Sequence, residues 1–161
     1  MNKLIFILLI FFFSINVHAI DMGVFYSDKF AGISATSDRV FFGVGYRSLN
    51  DSTFLELGRY TVDAWSFLLL FRNKPVEELK LNFVGGLRYV TSILKGKGRS
   101  VPSNQSSIYL GVETKISILE LKILYVPLRL TNIHFDSGIS KKQSVLVGEG
   151  LKILVNIPFN I

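Results

Sequence analysis

Hydrophobic and polar positions alternate with a period of two along most of the chain. Val40, Phe42, Val44 and Tyr46 alternate with Arg39, Gly43, Gly45 and Arg47, and Trp65, Phe67, Leu69 and Phe71 alternate with Ala64, Ser66 and Arg72. The clearest run sets Leu79, Leu81, Phe83, Leu87 and Tyr89 against Glu78, Lys80, Asn82, Gly86 and Arg88. Ile108, Leu110, Val112 and Ile116 are interleaved with Ser107, Gly111, Glu113 and Lys115. In the last segment Val145, Val147, Leu151, Ile153, Val155 and Ile157 share one parity, and Leu146, Gly148, Gly150, Lys152 and Asn156 the other. Because successive side chains of a strand point to opposite faces, this pattern predicts strands with one apolar and one polar face. Eight segments follow, at roughly 22–36, 39–48, 52–60, 62–72, 78–92, 105–117, 119–136 and 143–159. Breaks fall at Asn50-Asp51, at Asn73-Lys74-Pro75, in 95–107 and between Asp136 and Gln143.

Two all-β architectures accommodate eight such strands. A soluble barrel points its apolar face inward; a transmembrane barrel points it at lipid and fills its interior with the polar face. The polar face here mixes glycines with both charge signs, Glu56, Glu78, Glu113 and Glu120 against Lys80, Arg88, Lys115 and Lys122. That suits a narrow interior plugged by ion pairs. Tyr46, Trp65, Phe71 and Tyr89 stand near segment ends on the apolar face, where interfacial girdles lie. The expectation is an eight-stranded antiparallel up-and-down transmembrane β-barrel, with a soluble periplasmic barrel as the alternative. In outer-membrane barrels the external loops are the longer ones. With a periplasmic N-terminus, the longest connections, after strands five and seven, are external.

The first twenty residues supply the route. Lys3 precedes an apolar run from Leu4 to Phe13, and Val17 and Ala19 place small residues before a cleavage point. This reads as a secretory signal peptide over 1–19, the run being shorter than the roughly 20 residues a spanning helix needs. Residues 20–161 then form the barrel, one domain. There is no cysteine, so no disulfide holds the fold. The net charge of +6 suggests an anionic partner, with Lys95, Lys97 and Arg99 and the pair Lys141-Lys142 as its basic clusters. Export makes nucleic acid a poor candidate, and outer-membrane lipid is the expected surrounding. No phosphate loop, metal-spaced cluster or nucleophile elbow is present, so no cofactor is implied.

Residues that break the lipid-facing pattern carry the remaining information. Glu149 falls on the apolar parity between Val147 and Leu151, where an unpaired carboxylate in lipid is penalised. His134 stands at the outer end of strand seven. In that strand Glu120 and Lys122 set the interior on even positions, while Leu128 and Leu130 later place apolar residues there. A phase slip near Tyr125–Pro127 accounts for the change, since proline is tolerated at bulges. A hairpin centred in Ser140–Lys142 would put His134 directly opposite Glu149, and a carboxylate orienting an imidazole is half of a nucleophile-activating triad.

The run NIHFDSGIS at 132–140, followed by Glu149 and the ending VNIPF at 155–159, resembles the lipid A 3-O-deacylases, small eight-stranded outer-membrane barrels. That family carries His-x-Ser-Asn on its penultimate strand and a lipid-facing glutamate about fourteen residues later. The resemblance implies an esterase acting on lipopolysaccharide, with His134 as base, Glu149 as orienting acid and a serine nucleophile. The position two after His134 is Asp136; the nearest hydroxyl, Ser137, is one residue further on, which in a regular strand is the opposite face. The competing expectation is a non-catalytic barrel with a structural, adhesive or surface-binding role.

Overall fold

A computed structural model describes residues 20–51, 60–73, 81–96, 99–134 and 141–159. It is all-β. The strands are β1 (Asp21–Ser27), β2 (Phe30–Thr36), β3 (Val40–Asp51), β4 (Tyr60–Arg72), β5 (Leu81–Gly96), β6 (Arg99–Ile116), β7 (Leu119–His134), β8 (Lys141–Val147) and β9 (Leu151–Phe159). Each pairs antiparallel with its neighbours in chain order from β1 to β7. β8 and β9 lie end to end along β7, β8 beside Leu128–His134 and β9 beside Glu120–Tyr125. Together they fill one position in the wall. β9 also pairs with β1, from Met22↔Phe159 to Ser27↔Leu154, and this seam closes an eight-position barrel. Closure gives β1 and β9 a partner on each side, where a flat sheet would leave open edges.

The period-two alternation sets the two faces. Trp65, Phe67, Leu87, Tyr89, Leu110 and Ile153 are exposed on the outer wall, Leu87 by 58%. Inside, the middle of the barrel is closed by apolar side chains, among them Phe25, Phe41, Leu70, Tyr109, Leu124 and Leu154. Exposed apolar residues on this scale exceed the scattered ones a water-soluble surface carries. The apolar wall has an edge at the rim: Tyr46 and Trp65 pack with ring centroids 5.1 Å apart. Beyond them Asp63 accepts from Tyr46 Oη at 3.1 Å and Ser48 Oγ at 2.9 Å and pairs with Lys95 at 3.1 Å.

The strand positions depart from the sequence expectation in three places. The segment at 22–36 is two strands, β1 and β2, turned at Asp28 and Lys29, whose φ values of 53° and 67° are left-handed. The segment expected at 52–60 holds no wall position between β3 and β4, which pair directly out to Asp51↔Tyr60; residues 52–59 lie outside the described residues. The stretch 95–107, expected as a long external connection, is mostly ladder, with β5 and β6 paired out to Gly96↔Arg99. The two differences in strand count cancel, which preserves eight wall positions. The phase slip in β7 is present: Leu110 pairs with Tyr125 and Ile108 with Leu128, so Val126 and Pro127 together oppose Tyr109. Proline has no N–H to lose from the ladder there. Beyond the slip Leu128 and Leu130 line the outer wall, while Arg129 turns to the interior.

The wall is uneven in height. β1 and β2 turn back at Asp28-Lys29, and the β2–β3 ladder ends at Ala31↔Tyr46, whereas β3 continues to Asp51. Across the gap, β8 pairs with β7 alone among the described strands. Among the described residues a notch therefore stands over the β1–β2 turn, between the upper part of β3 and β8.

Candidate functional site

The polar interior falls into two clusters, separated by the apolar middle. At the end holding Ile20 and Phe159, Glu113 and Glu120 face Arg72 and Lys122. Arg72 reaches both carboxylates at 2.9 Å, and Lys122 reaches Glu113 at 2.7 Å and Glu120 at 3.0 Å. Asn82 donates to Glu113 at 3.2 Å, Asn156 donates to Glu120 at 2.9 Å, and Ser34 donates to Asn156 at 2.6 Å. Arg72 Nη1 also donates to the Ser37 carbonyl at 2.8 Å. Two cations and two carboxylates, cross-linked and hydrogen-bonded, form a plug in which each charge has partners, the condition under which buried ions are tolerated. Glu113, Glu120, Arg88 and Lys122 thus occupy the interior as their parity requires, and Lys115 is exposed at the strand end. Glu56, Glu78 and Lys80 lie outside the described residues.

The second cluster lies beyond the apolar middle, at the level of the notch. Arg88 is 4% exposed; its Nε donates to Ser66 Oγ at 2.7 Å and its Nη1 to Tyr109 Oη at 3.2 Å, with Asp28 at 3.6 Å. Arg129 pairs with Glu149, and Lys152 reaches Asp28 at 3.4 Å and Glu149 at 3.9 Å. Phe30 is buried beneath two guanidinium groups, those of Arg47 at 4.6 Å and Arg88 at 4.4 Å from its ring centroid. With its amide turned so that the oxygen faces the guanidinium, Gln105 accepts from Arg129 Nε and, at 3.2 Å, from Nη1.

Glu149 belongs to this interior cluster and does not face lipid, which corrects its assignment by parity. The cause is local backbone. Gly148 and Gly150 have φ of 70° and 106°, conformations that favour glycine, and residues 148–150 leave the ladder between β8 and β9. Three backbone hydrogen bonds anchor the interruption: Glu149 N–H to the Val126 carbonyl, Gly148 N–H to that of Pro127, and Val126 N–H to that of Gly150. The break in β8–β9 is therefore seated against the bulge in β7.

The register does not bring the expected pair together. His134 pairs with Lys141, so the hairpin is centred earlier in the chain than Ser140–Lys142. Glu149 is anchored instead at Val126, eight positions down β7, a separation of about 26 Å at the usual strand rise. Ser137 lies outside the described residues. The residues that do converge, Asp28, Arg47, Arg88, Arg129 and Lys152, escape sequence reading as a group because each looks like an ordinary polar-phase residue. The glycines flanking Glu149 are the available signal.

The outer wall carries an apolar recess of about 510 Å³, bordered by Phe67, Leu87, Tyr89, Ile108, Leu128 and Leu130. No protein-family model matches the chain, and no curated protein does. Among solved structures, a major outer membrane protein from Thermus thermophilus is similar at 16% identity, with 88% of this chain and 100% of that chain covered and a TM-score of 0.41.

Proposed function

We propose that this chain is a non-catalytic barrel of the bacterial outer membrane, its wall seated in lipid and its function carried by the rim and the loops above it. The observation that supports this reading is the inversion of the barrel: apolar side chains outside, a cross-linked ionic plug inside. A water-soluble barrel of this size would put its apolar face inward. The plug and the apolar middle fill the lumen, which suits an anchor or surface-binding protein rather than a channel.

Fractionation of expressing cells tests the location. The protein is expected in the outer-membrane fraction and to migrate differently on gels with and without boiling; recovery in the soluble periplasmic fraction would sink the proposal. The lipid A 3-O-deacylase reading predicts a changed acyl pattern on expression that reverts in His134→Ala. The non-catalytic reading expects lipid A mass spectra that are unchanged by expression of either form. The distance between the anchoring points of His134 and Glu149 favours the second outcome.

A further inference from the structure

A barrel wall is convex, so a recess in it has a local cause. On the outer face the ladders set side chains in rows across the strands. One row holds Phe67, Tyr89, Ser106 and Leu130, and the next, away from the rim, Leu69, Leu87, Ile108 and Leu128. Ser106 is exposed and is the one small side chain in the two rows, so it leaves a gap between Tyr89 and Leu130. Just beyond the second row Val126 and Pro127 together oppose Tyr109, and a bulge bends the strand that carries it. The recess of about 510 Å³ lies over these two rows.

Toward the rim the wall turns polar. The adjoining row holds Trp65, Thr91, Asn104 and Asn132, so a hydroxyl and two amides stand on the outer face directly above the recess. None of the three carries a charge. Lys95, on the same face further toward the rim, is already paired with Asp63 at 3.1 Å. Sites for small molecules commonly measure about 300–1,000 Å³ and combine apolar walls with a few placed polar groups. The recess has that size and that division, hydrocarbon below and neutral hydrogen-bonding groups above, which is the profile of an amphiphile whose head has no net charge.

We propose that the recess binds one zwitterionic phospholipid of the surrounding bilayer, with an acyl chain lying over Ser106 between Tyr89 and Leu130 and the head meeting Thr91, Asn104 and Asn132. This rests on the membrane location proposed above and adds to it a lipid held at a fixed place on the wall. Inside a bilayer, hydrophobic gain does not distinguish protein from lipid, so retention comes from packing and hydrogen bonds. A chain in the recess touches protein on several sides, where a chain against a convex wall touches it on one, and the added dispersion contacts are small singly and large in sum. Amides both donate and accept, so Asn104 and Asn132 match a head that carries phosphate and carbonyl acceptors beside an ammonium donor. A strongly anionic head would call for guanidinium or ammonium partners instead.

The test folds the full chain into vesicles of phosphatidylethanolamine and phosphatidylglycerol in equal amounts with identical acyl chains, extracts it into mild detergent, and counts the retained lipid by native mass spectrometry. One phosphatidylethanolamine per barrel is expected to survive extraction. Ser106→Phe and Ser106→Leu fill the recess and should lose that lipid, whereas Ile153→Phe, on the exposed wall outside the recess, should keep it. Ser106 is exposed, so its variants should still fold, which heat-modifiable migration checks. Retention of no lipid, of phosphatidylglycerol by preference, or of the two lipids in the proportion supplied would overturn the proposal, as would retention unchanged in both Ser106 variants. Quenching of Trp65, the chain's only tryptophan, by brominated phospholipid is read in the same vesicles. Quenching without retention removes the lipid site and leaves the membrane location standing; no quenching removes the membrane location itself, and the lipid site with it.

Discussion

Lys122 is fully buried and bridges Glu113 and Glu120. Removing a cation from such a network leaves two carboxylates to share Arg72. Lys122→Met is therefore expected to lower stability by about 3–5 kcal/mol in urea unfolding from micelles, as for other broken buried ion pairs. Combining it with Glu113→Gln restores the balance between one cation and one carboxylate, and should recover most of that loss. Gly148 poses a backbone problem instead. At φ 70° an added Cβ is disfavoured, and Gly148→Ala should cost about 1 kcal/mol. The same substitution loosens the interruption that turns Glu149 inward, so it should weaken the Arg129–Glu149 pair as well as the fold.

At the scale of the strand, parity makes the wall legible from sequence. Wherever alternation is regular, as in β4, β5, the lower half of β6 and the lower half of β7, it assigns outward and inward residues correctly, down to the buried Glu113, Glu120 and Lys122. It fails where the backbone leaves the strand for one or two residues. The Asp28-Lys29 turn is built from two residues with no glycine, proline or asparagine to announce it, so two short strands look like one irregular one. Glu149 is misplaced by parity because parity cannot be carried across Gly148 and Gly150. The expected pairing of His134 with Glu149 fails because it centres the β7–β8 hairpin at Ser140–Lys142, whereas the pairing His134↔Lys141 is centred on 137–138, at the turn-forming run Asp136-Ser137-Gly138 of the sequence. The slip at Pro127 is readable because proline marks it. The wall assignment itself is testable: Leu87 is exposed between Leu69 and Ile108. Leu87→Arg should cost about 2–4 kcal/mol when the barrel folds into vesicles, the depth-dependent penalty for a charge in hydrocarbon. On a water-facing wall the change would stay within about 0.5 kcal/mol.

For the whole molecule, the two clusters divide the labour of the interior. The plug and the apolar middle hold the barrel shut at the end carrying Ile20 and Phe159, while the notch and the second cluster occupy the other end. Stability is accordingly expected to respond more sharply to changes in Glu120 or Lys122 than to changes in the half-buried Arg47. Urea unfolding of these variants in micelles would rank the two ends.

The seam between β1 and β9 also fixes an order of events. Met22 and Phe159 pair across 137 residues of chain, whereas β5 and β6 meet through a connection of two. The entropy of closing a loop grows with its length, so neighbouring hairpins assemble early and the seam assembles last. Until the final strand has emerged from synthesis, β1 has nothing to close against. The barrel is thus a structure that no growing fragment can complete, and both edges stay open until β9 has been made.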